Sequence, residues 1–234
     1  MKSSYYENSL SFQEQLNRRA KCIFAKCQNK LPLFLGDYNL LQDENNCIAS
    51  STAIGYALEE FLVSKLATDS PQQGAGGDFS IERNENATVR QSFDCFAEMG
   101  GTKFLVNVKA VRKKGTNNAV AAINRLHQDY CLDEPEREKG FIVFKVKYSI
   151  GPSDKATGPS CIQIVETTSY CLEEVDFSKG HRQDHRNWKN GASNRNSGRL
   201  AVPDRWRADH KVDEDKISYF NTRDMLNQLV ANNK

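Results

Sequence analysis

The sequence predicts a mixed α/β fold, an α+β arrangement in which one mixed β-sheet carries helices on its faces. Three observations lead to it. Residues 88–111, TVRQSFDCFAEMGGTKFLVNVKAV, read as two β-strands turning at Gly100-Gly101, where a two-residue hairpin loop needs positive φ. A helical pattern and then the β-rich strand 141–149 follow, and such a crossover is right-handed, so this strand lies parallel to the second hairpin strand. Other segments repeat their apolar residues at helical spacing and supply the covering layers.

Taken in order, Ser11 and Glu14 have capping-box spacing, and Phe12, Leu16, Ala20, Ile23, Phe24 and Cys27 recur at helical intervals, predicting a helix over 11–28. After a break at Pro32, Ser50-Ser51-Thr52 offers an N-cap for a helix to about Ala67. Its apolar face is Ile54, Leu58, Phe61, Leu62 and Leu66, with Glu59 and Glu60 towards the flanks. The run 70–78, SPQQGAGGD, reads as a flexible connection; it lacks the Lys-Ser/Thr of a phosphate-cradling loop. Asn117 or Asn118 caps a predicted helix to about Tyr130, with Val120, Ile123, Leu126 and His127 in helical register. Beyond strand 141–149, GPSDKATGPS is turn-rich, CIQIVETTSY reads as another strand, and a closing helix is expected from about Thr222.

The hairpin register sets Met99 against Thr102 and Asp94 against Asn107. One face then carries Val89, Gln91, Phe93, Cys95 and Ala97 against Phe104, Val106, Val108 and Ala110, and asks to be covered. The other presents Ser92 and Asp94 against Asn107 and Lys109, close enough across the strands to converge. Asp94 is a candidate ligand for Mg²⁺, which asks the protein for only one or two carboxylates. Asn107 offers a neutral amide oxygen, the Val108 carbonyl lies along the same edge, and Lys109 is placed to orient a water or stabilise charge on phosphorus. Glu59 or Glu60 adds a carboxylate from the helix beside the sheet.

Length favours one domain over 1–234 with appended loops. A net charge of +2 carries no whole-chain signal for nucleic acid, so any such case rests on a local patch. Seven cysteines, an odd number without paired spacing, point to a reducing cytoplasm and away from zinc. No run approaches the roughly 18 apolar residues of a membrane span, and no glycine signature for a nucleotide cofactor is present. The local patch is residues 179–211, which gather nine Lys or Arg against three Asp, with both tryptophans interleaved. With apolar residues only at Leu200 to Val202, the segment lacks a core of its own and is expected to be mobile or ordered on a partner. Arg182, His185, Arg186, Asn187, Lys189, Arg195 and Arg199 are its candidate contacts to DNA phosphates and base edges.

A helix bearing Glu, Asp94 near the end of a polar-faced strand, a hairpin turn, Asn107-Val108-Lys109 and a following helix together resemble the PD-(D/E)XK nuclease superfamily, particularly type II restriction endonucleases. The match covers about residues 50–148. It implies a restriction-endonuclease-like core, a bacterial or archaeal cell, and Mg²⁺-dependent cleavage of double-stranded DNA to 5′-phosphate ends. Carried over residue by residue, Asp94 matches the first metal-binding Asp, Lys109 the lysine, and Glu59 the helix carboxylate, with Glu60 behind it. Phe93 stands at a position that varies in the family. Asn107 stands where Asp or Glu is usual, a departure that weakens metal binding. A natural amide-tolerant enzyme, a binding relative that does not cut, and an Asp-to-Asn change made to trap uncut DNA all remain open. A two-fold target invites a homodimer. Two other classes compete: a sequence-specific DNA-binding protein without cleavage, and a ββα-metal nuclease built on Asp184, His185 and Asn187, which would need a helix in the Gly/Asn/Ser-rich sequence after Trp188.

Overall fold

Gly100 and Gly101 take φ values of +60° and +84°, and the turn they make sets Met99 opposite Thr102 as the hairpin pattern requires. The computed structural model describes residues 4–35, 37–41, 51–68, 79–84, 91–116, 118–152, 160–179, 183–188 and 197–231. In chain order these form α1 (Ser4–Lys26), the short strands β1 (Lys30–Leu31), β2 (Phe34–Leu35) and β3 (Tyr38–Asn39), α2 (Ser51–Thr68), β4 (Ile81–Arg83), β5 (Cys95–Met99) and β6 (Thr102–Arg112). Next come β7 (Ala119–Ala122), α3 (Ile123–His127), a π-helical turn Gln128–Leu132, β8 (Lys139–Pro152) and β9 (Ser160–Cys171). The chain then runs through β10 (Gln183–Trp188), β11 (Ser197–Ala201), α4 (Asp204–Asp209) and α5 (Tyr219–Ala231).

Six strands pair in the order β1-β9-β8-β6-β5-β4, and β10-β11-β7 form a separate antiparallel sheet. β6 and β8 are parallel, with Lys103 beside Lys139 and Lys109 beside Lys145, while the other pairings of the large sheet are antiparallel. The sheet is therefore mixed, as the crossover argument requires. Each face is buried. Phe104, Val106 and Val108 of β6 pack with Phe12, Leu16, Leu58 and Leu62 of α1 and α2. Leu105 of β6, with Phe141 and Val143 of β8, packs with Ile123, Leu126, Leu200, Trp206 and Leu226. Among the described residues no helix is long and apolar enough to cross a membrane.

Several expectations are corrected. α1 begins seven residues before Ser11, because Tyr5 and Tyr6 are buried and the Tyr5 hydroxyl donates to the Lys139 carbonyl at 2.9 Å. The first hairpin strand begins at Cys95 rather than near residue 88; Val89 lies outside the described residues, as do Ser50, residues 70–78 and Asn117. Phe93 lies not beside Cys95 but in the second cluster, edge-on to Phe96. The cause is local: Asp94 N–H donates to the Val106 carbonyl, although Val106 stands in register with Cys95. Two successive residues thus address one partner, as at a β-bulge, and the alternation inverts. The helix expected over 117–130 is strand β7 followed by α3 and the π-turn, since pairing of Ala119–Ala122 with β11 outweighs the helical pattern. The closing helix starts at Tyr219. Within the basic stretch, Leu200, Val202 and Trp206 are buried in the second cluster, so residues 197–209 are ordered by the chain's own core and not only by a partner.

Candidate active site

β6 runs to Arg112, but β5 pairs with it only as far as Val106. Past that point Val108 and Ala110 turn their N–H and C=O groups to an edge with no strand opposite among the described residues, since even-numbered β6 residues face β5. Side chains take the N–H groups instead. Asp94 Oδ2 accepts from Val108 N at 2.7 Å, and Glu59 Oε1, from α2, accepts from Ala110 N at 2.7 Å. The Val108 and Ala110 carbonyls lie along the same edge. Two carboxylates thereby meet beside one strand, from elements far apart in sequence.

Burial pushes the carboxyl groups of both Asp94 and Glu59 above the ordinary carboxylate range, and the Lys109 ammonium is the largest influence drawing each back. The bonds from Val108 and Ala110 act in the same sense as Lys109, while the negative charges of Glu60 and, for Glu59, of Asp94 oppose it. Glu60 is engaged elsewhere, in an ion pair with Arg83 of β4. Asp94, Glu59 and Lys109 are thus brought into one electrostatic cluster, with Glu60 at its margin.

Asn107 is only 5 % exposed, and its Nδ2 donates to the Ser92 carbonyl. The Ser92 N–H in turn donates to the buried Asp129 carboxylate at 2.5 Å. Asn107 Oδ1 is buried and has no hydrogen-bond partner. That orphaned acceptor is an observation a cation would explain, because a buried polar oxygen without a partner is costly. Asp94, Glu59, this amide and the Val108 carbonyl carry oxygen donors only, the chemistry that suits Mg²⁺. No group of three or more His, Cys, Asp or Glu suited to a metal occurs among the described residues. Mg²⁺ keeps several waters and asks the protein for one or two carboxylates, a number that Asp94 and Glu59 can supply.

Glu59 and Lys109 also line an open cleft of about 410 Å³, whose other walls include Tyr56, Arg112, Thr116, Tyr148 and Arg199. Arg199 comes from β11, in register with Ala122 of β7 and Asp184 of β10. Among solved structures, the chain is similar to the NlaIV restriction endonuclease. The two are 13% identical, the match covers 80% of this chain and 69% of that one, and the TM-score is 0.37. Comparison with protein-family models and with curated proteins finds no match.

Of the other basic candidates, His185, Arg186 and Asn187 stand on β10, while Arg182, Lys189 and Arg195 lie outside the described residues. His185 falls within a strand rather than at its end, against the needs of a ββα-metal site. His127 is not among the cleft walls and pairs with Asn227 Oδ1 at 2.9 Å. Sequence reasoning missed Asp129, Arg112, Thr116 and Tyr148. No local signal marks Asp129, because its role depends on a π-turn docking against Ser92; Arg112 was within reach, being one residue beyond the strand predicted from Thr102.

Proposed function

We propose that this protein is a type II restriction endonuclease that hydrolyses double-stranded DNA in a divalent-metal-dependent reaction. The observation that carries the reading is the meeting of Asp94, Glu59 and Lys109 at the open edge of β6. Asp94, the Val108 carbonyl and the Asn107 amide oxygen would hold Mg²⁺, with Glu59 as a further carboxylate. When bound, such an ion polarises a phosphate and lowers the pKa of a water. Lys109 orients the attacking water and stabilises charge on the phosphoryl oxygens. Water attacks phosphorus in line and the 3′-oxygen leaves, giving a 5′-phosphate and a 3′-hydroxyl. The substrate is a short palindrome read by a homodimer, with Arg182, His185, Arg186, Asn187, Lys189, Arg195 and Arg199 on the DNA. The reaction needs no nucleotide cofactor, and the setting is the cytoplasm of a bacterial or archaeal cell.

A second reading, a DNA-binding relative that does not cut, is favoured by one observation: Asn107 donates to the Ser92 carbonyl, which a carboxylate cannot do. One experiment separates the two. Plasmid of known sequence is incubated with Mg²⁺ or Mn²⁺ and wild-type, Asn107→Asp, Asp94→Ala or Lys109→Ala protein, and the ends are mapped. Cleavage at fixed sites that Asn107→Asp keeps or raises, and that the other two variants abolish, supports the enzyme. Binding without cleavage by wild type and Asn107→Asp alike leaves the binding module.

A further inference from the structure

We infer that Arg199, together with Lys109 and Arg112, forms a phosphate seat, so that Arg199 contacts the phosphoryl group undergoing attack rather than DNA backbone away from the cut. The inference rests on the nuclease reading for the identity of the phosphate, but the seat itself follows from the cleft. All three cations line the same space as Glu59. Among the described residues neither Arg112 nor Arg199 has a carboxylate within ion-pair distance, whereas Lys109 acts on both Asp94 and Glu59. The two guanidiniums around one cleft repel each other and, beside the Lys109 ammonium, favour an anion between them. By contrast, nearby lysines on the sheet have partners: Lys145 holds Asp204 at 2.8 Å, and Lys147 holds Glu166 at 3.6 Å.

The three come from different parts of the fold. Lys109 and Arg112 stand on the long strand that carries the open edge, whereas Arg199 belongs to the basic stretch. Gly198, at φ +73° and buried, puts a bend immediately before Arg199 that a side chain at that position would resist. Leu200 behind it is fully buried, so the guanidinium is carried on an anchored strand. The basic stretch therefore has two jobs. Its β11 end supplies a charge to the reaction, and the remainder is left for groove and backbone contacts. A guanidinium also offers paired N–H donors matched to phosphate oxygens, which Lys109 cannot supply alone.

The test uses the full chain without metal and inorganic phosphate as the probe, read by amide chemical shifts of the wall residues Gly55, Ala110 and Gly115. Phosphate is expected to shift these amides in wild type, and Arg199→Ala is expected to weaken binding by about tenfold, with Arg199→Lys recovering part. Lys147→Ala, outside the cleft, is expected to match wild type. Absence of phosphate binding by wild type, or equal binding by Arg199→Ala, overturns the seat. In Mg²⁺-dependent single-turnover cleavage, Arg199→Ala is expected to slow the chemical step by about a hundredfold while DNA affinity falls less than about fivefold. Weakened DNA binding with unchanged cleavage of bound DNA overturns the inference and leaves the nuclease reading intact. Phosphate binding that depends on Arg199, in a protein that neither binds nor cuts DNA even as Asn107→Asp, supports the seat and ends the nuclease reading.

Discussion

Replacing Asn107 by Asp tests the site at its most unusual residue, and the structure gives both sign and size. The wild-type amide donates to the Ser92 carbonyl from a position 5 % exposed. An ionised carboxylate there has no proton to give, so one hydrogen bond worth about 1 kcal/mol is lost and a buried carbonyl is left facing negative charge. The combined cost is roughly 2–4 kcal/mol while the new group is ionised. A protonated carboxyl, however, can donate O–H to Ser92. The folded state therefore holds this proton more tightly than the unfolded chain, and the folded pKa is raised. For an acid whose folded pKa is raised, stability is intact below the unfolded value and falls as pH rises towards the folded one. Urea melts of Asn107→Asp should approach wild type at about pH 4 and fall progressively behind it by about pH 8. A divalent cation held by the new carboxylate should return about 2.7 kcal/mol at a hundredfold excess over its dissociation constant. Equal stability of variant and wild type at about pH 8 would refute the Ser92 clasp. A deficit that Mg²⁺ or Mn²⁺ leaves untouched would refute position 107 as a ligand.

Glu173 is fully buried, accepts from Tyr130 and the Phe141 N–H, and burial pushes its carboxyl up to about 7. Between the ordinary value of 4.5 and about 7 the native state holds the extra proton, so stability should fall across that window by up to roughly 3 kcal/mol, and Glu173→Gln should flatten the profile seen in wild-type denaturation. Gly140→Ala would set a Cβ 2.7 Å from Phe104 Cδ1 and 3.2 Å from Tyr5 Oη, an overpacking of about 1–3 kcal/mol. Gly101→Ala, with nothing within 4 Å, should cost only its positive φ, about 1–2 kcal/mol, and a larger loss at Gly101 than at Gly140 would contradict the packing. Leu200→Ala should cost about 2–5 kcal/mol by thermal or urea melting, as a core residue does, whereas a change within about 0.5 kcal/mol would return the basic stretch to a coreless loop.

What the sequence made legible was whatever depends on short range. The hairpin register follows from two glycines, the α2 face from helical spacing, and the nearness of Glu59, Asp94 and Lys109 from assembling those pieces on one parallel crossover. Distances along the chain defeated the rest. β7 is a strand only because β11, some eighty residues on, pairs with it; alone, Val120, Ile123 and Leu126 have helical spacing. The first turns of α1 depend on Tyr5 reaching the Lys139 carbonyl, and the inverted alternation at Phe93 depends on one shared carbonyl. Such contacts have no period to read.

That shared carbonyl also explains how an open edge arises in the interior of a sheet. β6 is eleven residues long and lies between β8 and β5, yet β5 is only five. Were the ladder to continue, residues before Cys95 would take up the N–H groups of Val108 and Ala110 that Asp94 and Glu59 now address. The chain is held off that path at Ser92, whose carbonyl is occupied by Asn107 and whose N–H is occupied by Asp129. Asn107 thus acts as a peg keeping the edge open, a task its amide performs and a carboxylate performs only when protonated. An amide at this position is consistent with the folded architecture on its own terms, while its unpartnered Oδ1 leaves it an acceptor to contribute. The same residue therefore holds the Ser92 segment with its nitrogen and keeps its oxygen uncommitted. An Asp here gives up the bond to Ser92 as pH rises and it ionises.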